Sequence, residues 1–420
     1  MRTLKEIIRK MSLLAMLITF FGTAMAQNES SFTTISGNLK DAKTNDDLFF
    51  AYVTIPDSHI GTVTNSEGYF TLKISNNLNP TEIEFSHLGY KDKRVPISTL
   101  MKDNVEIALE PSSVSIDGIT VRPADPRKLV IDAFKKVNEN YSKQANMLTG
   151  FYRETIKQRW RYISISEAVL DIYKAPYTAF TRSDRVKIFK GRKSTNVKKA
   201  DTLAVKLQGG PRVSLLLDVV KNNELLFFEN NFDYYEFTLE DMVTIDEKIN
   251  YVIKFEQKSH IRSPLYYGKL YIDTENLAIT NAQFSLNIEN EDEATNLFVL
   301  RKPRGVKFTP TSTSYYVNYV EHDGVYYLNY VRNELSFRAS WKLRIFNSNY
   351  SVTAELAITD RSFKDVDRFP YRESFKERDI LSDAVESFND KDFWGELNYI
   401  RPEESIEQAI ERYGKRLKRD

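Results

Sequence analysis

Gly61-Thr62-Val63-Thr64-Asn65-Ser66-Glu67-Gly68-Tyr69-Phe70 is the stretch whose reading decides the fold of the amino-terminal region. Asn65-Ser66-Glu67-Gly68 is a tight turn, with Gly68 free to take the positive φ that other residues resist. Beyond it Phe70, Leu72 and Ile74 alternate with polar neighbours, the pattern of a strand with one buried face. Working outward, further short strands are predicted at 35–39, 51–55, 61–64, 83–86 and 105–109. Turn residues recur between them at roughly 8–12 positions, which signals a β-sandwich.

The residues that carry this pattern support a resemblance. Gly37, Asp41, Ala51-Tyr52-Val53, Gly61-Thr62, Thr64-Asn65, Gly68, Phe70 and Leu88-Gly89-Tyr90 make residues 33–110 similar to the carboxypeptidase regulatory-like domain, a transthyretin-like sandwich. The family usually has Asp where this chain has Asn65, which weakens a calcium role there. In bacterial relatives such a domain often precedes an outer-membrane transporter barrel or a surface protein, and 116–121 resembles the short strand that follows it in transporters. Asp125-Pro126 breaks that pattern by opening a helix, with cap and N1 proline, and Leu129, Ala133, Val137 and Tyr141 at spacings of four. The chain also resembles an uncharacterised exported family, through Gly150-Phe151-Tyr152-Arg153-Glu154, Ser166-Glu167-Ala168-Val169-Leu170-Asp171-Ile172-Tyr173, Phe393-Trp394 and Asn398-Tyr399-Ile400-Arg401-Pro402-Glu403.

Residues 1–26 read as a signal peptide: a basic head with Arg2, Lys5, Arg9 and Lys10, an apolar run at 11–21, and Ala24-Met25-Ala26. The run is about half of the roughly 20 residues that span a bilayer. The chain has 59 basic and 58 acidic residues, and cleavage leaves 55 and 57, a net charge of −2. That balance argues against nucleic acid as a partner. The absence of cysteine removes disulfides, thiol nucleophiles and a lipidated amino-terminal cysteine, so core burial must supply stability. An aromatic share of 13% favours strands throughout.

Behind the helix, antiparallel strand predominates over 147–362. In 331–345, Val331, Leu335, Phe337, Ala339, Trp341, Leu343 and Ile345 share one face, and Arg332, Glu334, Ser336, Arg338, Ser340, Lys342 and Arg344 the other. Asp323-Gly324 joins 315–319 to 325–330 as a hairpin. Strands are also predicted at 251–257 and 266–272, a short helix at 213–220, and a terminal helix opening at Pro402, with Ile406, Ala409, Ile410, Tyr413 and Leu417 on its apolar face. The fold class is therefore mainly β, an N-terminal β-sandwich followed by a large antiparallel β-domain with a few helices. The divisions are 1–26 signal peptide, 32–111 sandwich, 112–145 linker strand and helix, 146–362 β-domain, and 363–420 polar tail with C-terminal helix.

No chemistry stands out. His59, His87, His260 and His322 are scattered without H-E-x-x-H, so no metal is expected; His87 reads as a strand-end histidine. There is no G-x-S-x-G elbow, and no G-x-G-x-x-G or G-x-x-x-x-G-K-[ST] cradle for a nucleotide or other cofactor. Gly209-Gly210-Pro211 reads as a turn and helix start. The acidic run Glu289-Asn290-Glu291-Asp292-Glu293 reads as a solvated loop, although a glycosidase needs only two carboxylates in a cleft. The basic stretch Arg182, Arg185, Lys187, Lys190, Arg192, Lys193, Lys198 and Lys199 reads as a solvated face rather than a site for anionic headgroups.

Leu335, Phe337, Trp341, Leu343 and Ile345 are either sheet core under helices or an apolar face for a ligand, as in periplasmic lipid carriers of the lipoprotein-chaperone type. An outer-membrane barrel also alternates, but the charged end Lys418-Arg419-Asp420 argues against it. The expectation is an exported, non-catalytic protein of the periplasm or outer membrane, an accessory or adaptor engaging a glycan, a lipid or an envelope protein. A lipid or lipoprotein carrier using a concave sheet is the alternative, and a carboxylate glycosidase the third.

Overall fold

In the computed structural model the described residues are 31–102, 105–112, 125–179, 182–195, 210–227, 231–298, 305–342, 347–387, 393–406 and 408. The segment read as a signal peptide, the strand read at 116–121, Lys198, Lys199, Gly209, Leu343, Arg344, Ile345 and most of the stretch read as a terminal helix lie outside them. The first unit is built from β1 (Phe32–Asp41), β2 (Tyr52–Thr54), β3 (Gly61–Val63), β4 (Tyr69–Ser75), β5 (Glu82–Ser86), β6 (Lys93–Pro96), a single-turn α1 (Ile97–Leu100) and β7 (Val105–Leu109). Two sheets, ordered β4-β1-β7 and β3-β2-β5-β6, face each other across Ile35, Leu39, Val53, Phe70, Leu72 and Phe85, all at most 1% exposed. Close packing explains Gly37: a Cβ there would lie 2.3 Å from the Val105 carbonyl oxygen, on the parallel neighbour β7, and 2.9 Å from the Phe70 ring. Strand β6 escapes sequence reading because Lys93-Arg94-Val95-Pro96 is an edge strand without apolar alternation.

The connector is α2 (Pro126–Lys135), capped by Asp125, which accepts a hydrogen bond from the Arg127 amide, and then α3 (Val137–Asn140). The second unit is one open sheet of eleven strands. In chain order they are β8 (Asn146–Gln158), β9 (Arg161–Lys174), β10 (Arg185–Thr195), β11 (Tyr235–Ile245), β12 (Lys248–Gln257), β13 (Tyr266–Asp273), β14 (Ile279–Leu286), β15 (Val306–His322), β16 (Val325–Trp341), β17 (Ser348–Ser362) and β18 (Glu386–Ser387). Their order in space is β11-β12-β13-β14-β15-β16-β17-β8-β9-β10-β18, antiparallel except for the short β10–β18 pairing. Among the described residues its two edge strands, β11 and β18, are not paired with each other, so the sheet they form is open rather than closed into a barrel. Among the described residues no helix is long and apolar enough to cross a membrane.

The hairpin at Asp323-Gly324 forms as read, with φ of 52° and 76° at the two turn residues. A bulge at Asn329 shifts the register, so Leu328 and Val331 face the same way. That face carries the main core. Leu170, Phe255, Leu270, Val317, Val331 and Leu356 lie under a cover made of α2, α3, α4 (Gly210–Leu216), the chain through Phe227 and Phe232, and α6 (Leu381–Ala384). Helix α4 occupies the start of the stretch read as helix at 213–220, because Gly210-Pro211 supplies its first turn.

Two expectations need correction, and a third gains detail. The acidic run is not a loop: Glu291, Asp292 and Glu293 form the first turn of α5 (Glu291–Phe298), where the helix dipole favours them. The basic stretch is not simply a solvated face, since its part from Arg185 to Lys193 lies in β10 and Arg192 is 6% exposed against Glu167. The stretch read as a polar tail from 363 also contributes to the core, since Trp394 and Ile400, at 4% and 0% exposed, are packed between the sandwich and the large sheet.

Candidate functional site

The motifs that set the second half of the chain apart converge on one buried joint. Strands β8 and β9 pair so that Arg153 lies opposite Glu167, both 1% exposed. Glu167 accepts from Arg153 Nε and from Arg192 Nε, each at 2.7 Å, and Arg153 Nη2 donates to the Ile400 carbonyl at 2.6 Å. Burial alone would raise the Glu167 carboxyl, but Arg153 and Arg192 together outweigh it and hold it below its ordinary value. Phe151 meets Trp394 edge-on at 5.4 Å, and the Arg192 guanidinium lies over the Trp394 ring at 4.8 Å. On its other side this clasp, residues 393–406, grips the sandwich. The Asn398 side chain exchanges two hydrogen bonds with the Lys73 backbone, at 2.7 and 3.0 Å, and Glu403 accepts from Ser66 and Tyr162.

Adjacent residues on the same strands build the opposite, covered face. Ser166, Glu154, Ala354 and Asn333 lie in one row across β9, β8, β17 and β16, and Lys193 of β10 continues it. Residues directly opposite in antiparallel pairs share a face, so this row interrupts an otherwise apolar surface. Tyr152 donates to Glu154 at 3.2 Å, and burial pushes the Glu154 carboxyl up to about 8 despite that bond. The Ser166 hydroxyl and the Asn333 carbonyl oxygen are buried without a hydrogen-bond partner among the described residues. So is the hydroxyl of Ser214 in α4, the helix that packs on β16 and β17. Buried polar atoms in native proteins are nearly always paired, which sets Ser166 and Asn333 apart from the apolar residues around them.

On one side of the row lies the helix-covered core. On the other lies a separate aromatic cluster of Phe308, Phe337, Ala339 and Tyr350, with Leu335 and Trp341 at its margin. Phe337 stacks on Tyr350 at 5.5 Å and meets Phe308 edge-on at 5.4 Å. Three of the five residues nominated from sequence, Leu335, Phe337 and Trp341, are thus brought together. Over the core, the cover is fastened by Asp218, fully buried, which accepts from Lys174 at 2.7 Å, Tyr177 at 2.9 Å and Tyr319 at 2.7 Å.

A second site opens between sandwich and sheet. This cleft of about 910 Å³ is lined by Asp57, Glu84, Asp92, Asp246, Glu247, Glu321 and Asp323, with Arg94, His59 and His322. Burial, then the charges of Asp246, Glu84 and Glu247, push Asp92 up to about 8. Crowding by neighbouring atoms and then the charge of Glu84 raise Asp246 to about 6, although its surface is exposed to the cleft. His59 and His322, far apart in sequence, meet edge-on at 4.3 Å. Burial, the neighbouring ring and Arg361 lower His322 to about 4, so the pair is neutral at pH 7. His87 follows the end of β5, as read, and its Nε2 is 3.1 Å from the Phe49 carbonyl oxygen. Among the described residues no group of three or more His, Cys, Asp or Glu is arranged to hold a metal.

The row escaped sequence reading because its members are aligned only by strand register. The one local signal was a polar residue at an inward position of an alternating run, Glu154 after Tyr152 and Ser166 before Ala168. The joint left a clearer trace, since its residues lie in the motifs that carry the resemblance.

No curated protein sequence matches the chain. Among solved structures it is similar to a DUF1329 family protein from Desulfovibrio piger, at 11% identity over 56% of this chain and 94% of that one, TM-score 0.23. A domain assigned to outer membrane lipoprotein sorting, from Vibrio parahaemolyticus, aligns at 7% identity over 59% of this chain and 95% of the other, TM-score 0.23. Lipovitellin aligns at 9% identity over 60% of this chain and 28% of its own, TM-score 0.22. Likeness at these scores carries no argument about fold or function. Residues 35–121 match the family model of the CarboxypepD_reg-like domain, which makes the amino-terminal sandwich a carboxypeptidase regulatory-like domain.

Proposed function

We propose that this chain is a non-catalytic binding protein of the cell envelope whose large sheet carries an acyl chain, as a lipid or a lipidated partner. The observation that carries the reading is the polar row of Ser166, Glu154 and Asn333 set between two apolar clusters on one covered face. A ligand site combines apolar walls with a few convergent, under-satisfied polar groups and a carboxyl of displaced pKa. The aromatic cluster around Phe337 would take the chain, and Glu154, neutral below about 8, would hydrogen-bond the ligand's polar end. Access requires the cover to move, and Asp218 is the contact that restrains it.

Native mass spectrometry of the protein, purified without detergent from its host envelope, tests this directly. A bound acyl-bearing species is expected. Uptake of a fluorescent fatty acid should be several-fold faster in Asp218→Asn, where Tyr177 and Tyr319 keep only a neutral partner and Lys174 is left with Asp184 alone. A protein that carries no lipid, and takes up no probe in either form, overturns the reading.

The interdomain cleft favours a second reading, the glycan-binding adaptor, because seven carboxylates and two histidines suit the hydroxyls of a sugar. Binding to a glycan panel that is lost in Glu84→Gln supports it, and a panel without binding rejects it.

A further inference from the structure

The hairpin between β8 and β9 turns through Arg159 and Trp160. Two-residue hairpin turns favour Asn-Gly, because the left-handed conformation suits those residues. Here arginine takes φ of 57°, and the tryptophan beside it is 71% exposed. A strained arginine and a bare indole at a turn are a departure that packing does not explain, because neither is packed. The Arg161 guanidinium lies over the Trp160 ring at 5.2 Å. The neighbouring strand ends add to the charge. The Arg159 amide donates to the Asn349 carbonyl, Asn349 lies opposite Arg338, and Lys307 and Lys342 end the next strands. All five basic residues are exposed. Lys307 has Glu291 at 4.0 Å, and the other four have no ion pair among the described residues.

We propose that this end of the large sheet docks on an anionic phospholipid surface, with Trp160 seated among the headgroups. From β8 to β15 is three strand spacings, about 14 Å, so the cations form a short, shallow rim rather than a pocket. A protein partner would need a shaped apolar recess to accept a lone indole, whereas the interfacial zone of a bilayer takes an amphipathic ring anywhere on its plane. Charge complementarity fixes the sign: unpaired arginine and lysine beside tryptophan suit anionic headgroups. The inference stands whether or not the covered face carries an acyl chain.

The test is flotation of the full chain with vesicles of phosphatidylcholine, with and without phosphatidylglycerol, read also by tryptophan emission. Of the three tryptophans only Trp160 is largely exposed, so a blue shift on binding reports it. Binding is expected only to the anionic vesicles, and weakened by salt. Trp160→Ala should remove the blue shift, and Arg159→Gln with Arg161→Gln should weaken binding about 25-fold, from roughly fivefold for each basic residue. The variants share the wild-type termini, so any terminal contribution cancels, and unchanged circular dichroism confirms folding. No binding, equal binding to neutral vesicles, or binding unaltered in both variants overturns the proposal. So does a Trp160→Ala variant that keeps vesicle binding and instead loses an envelope protein that co-purifies with wild type.

Discussion

Replacing Glu167 by glutamine tests whether the buried joint holds the two β-units together. Glutamine keeps the shape and removes the charge that two buried guanidiniums share through hydrogen bonds of 2.7 Å. Arg153 then retains the Ile400 carbonyl and, at 3.9 Å, the Glu355 carboxylate, while Arg192 keeps its stacking on Trp394. Removing one partner of a buried ion pair costs about 3–5 kcal/mol, because the remaining charge stays desolvated. Glu167 is held below its ordinary pKa, so its contribution is present above the unfolded value, roughly 4.3, and disappears as pH falls through the lower folded value. The wild type should therefore exceed Glu167→Gln by about 3–5 kcal/mol at pH 7, and by progressively less below pH 4. Urea unfolding gives the difference, and hydrogen exchange should show amides of 398–406 opening before those of β8 and β9. A loss under about 1 kcal/mol at pH 7, or unchanged exchange in 398–406, would refute the idea that this charge triad closes the clasp.

Two further outcomes follow from single residues. The Glu154 carboxyl is raised to about 8, so the stability it supports is complete below its ordinary value near 4.5 and is lost as pH rises toward 8. Ligand-free wild type should lose about 3 kcal/mol between pH 4.5 and 7 relative to Glu154→Gln, and denaturation curves that run parallel in the two proteins would contradict this. Gly68 has φ of 73°, and a Cβ there would lie 2.8 Å from the Leu39 carbonyl oxygen, so Gly68→Ala should destabilise the sandwich by about 1–3 kcal/mol, read as a lower thermal midpoint.

The sandwich was legible because its signals are local: a turn at Gly68, alternation from Phe70 to Ile74, and a cap at Asp125 all act within a few residues. The hairpin at Asp323-Gly324 was legible for the same reason, and it gave the pairing of β15 with β16. The helical cover was only partly legible. Gly210-Pro211 was recognisable as a helix start, but nothing in 213–220 announces that Asp218 will meet Lys174, Tyr177 and Tyr319 in the core. The charge on Arg192 suggested solvent, and pairing with Glu167 across β9 and β10 makes its burial tolerable. The alternation in 331–341 was read with the correct parity, yet Val331 joins the helix-covered core and Phe337 the aromatic cluster, because Asn333 of the polar row separates them.

Joint and row occupy opposite faces of the same two strands, and that placement has an energetic consequence. Arg153 is next to Glu154, and Glu167 next to Ser166, so a slip of one residue would exchange the faces. A slip of β8 would carry the Arg153 guanidinium into the apolar face, and a slip of β9 the Glu167 carboxylate. Each misplaced charge would lose several kcal/mol of pairing in a site that offers no substitute. The ion triad therefore fixes the register that aligns Ser166, Glu154 and Asn333, and with it the spacing between that row and the hairpin tip. From Glu154 to Trp160 is six residues along β8, about 20 Å, and the aromatic cluster of Phe337 and Tyr350 fills the interval on the covered face. An acyl chain leaving a membrane at the tip would meet aromatic carbon first and a neutral carboxyl last. Glu167→Gln should then weaken acyl-probe binding although Glu167 faces away from the ligand, whereas Trp160→Ala should slow transfer from vesicles while leaving the affinity for free fatty acid unchanged.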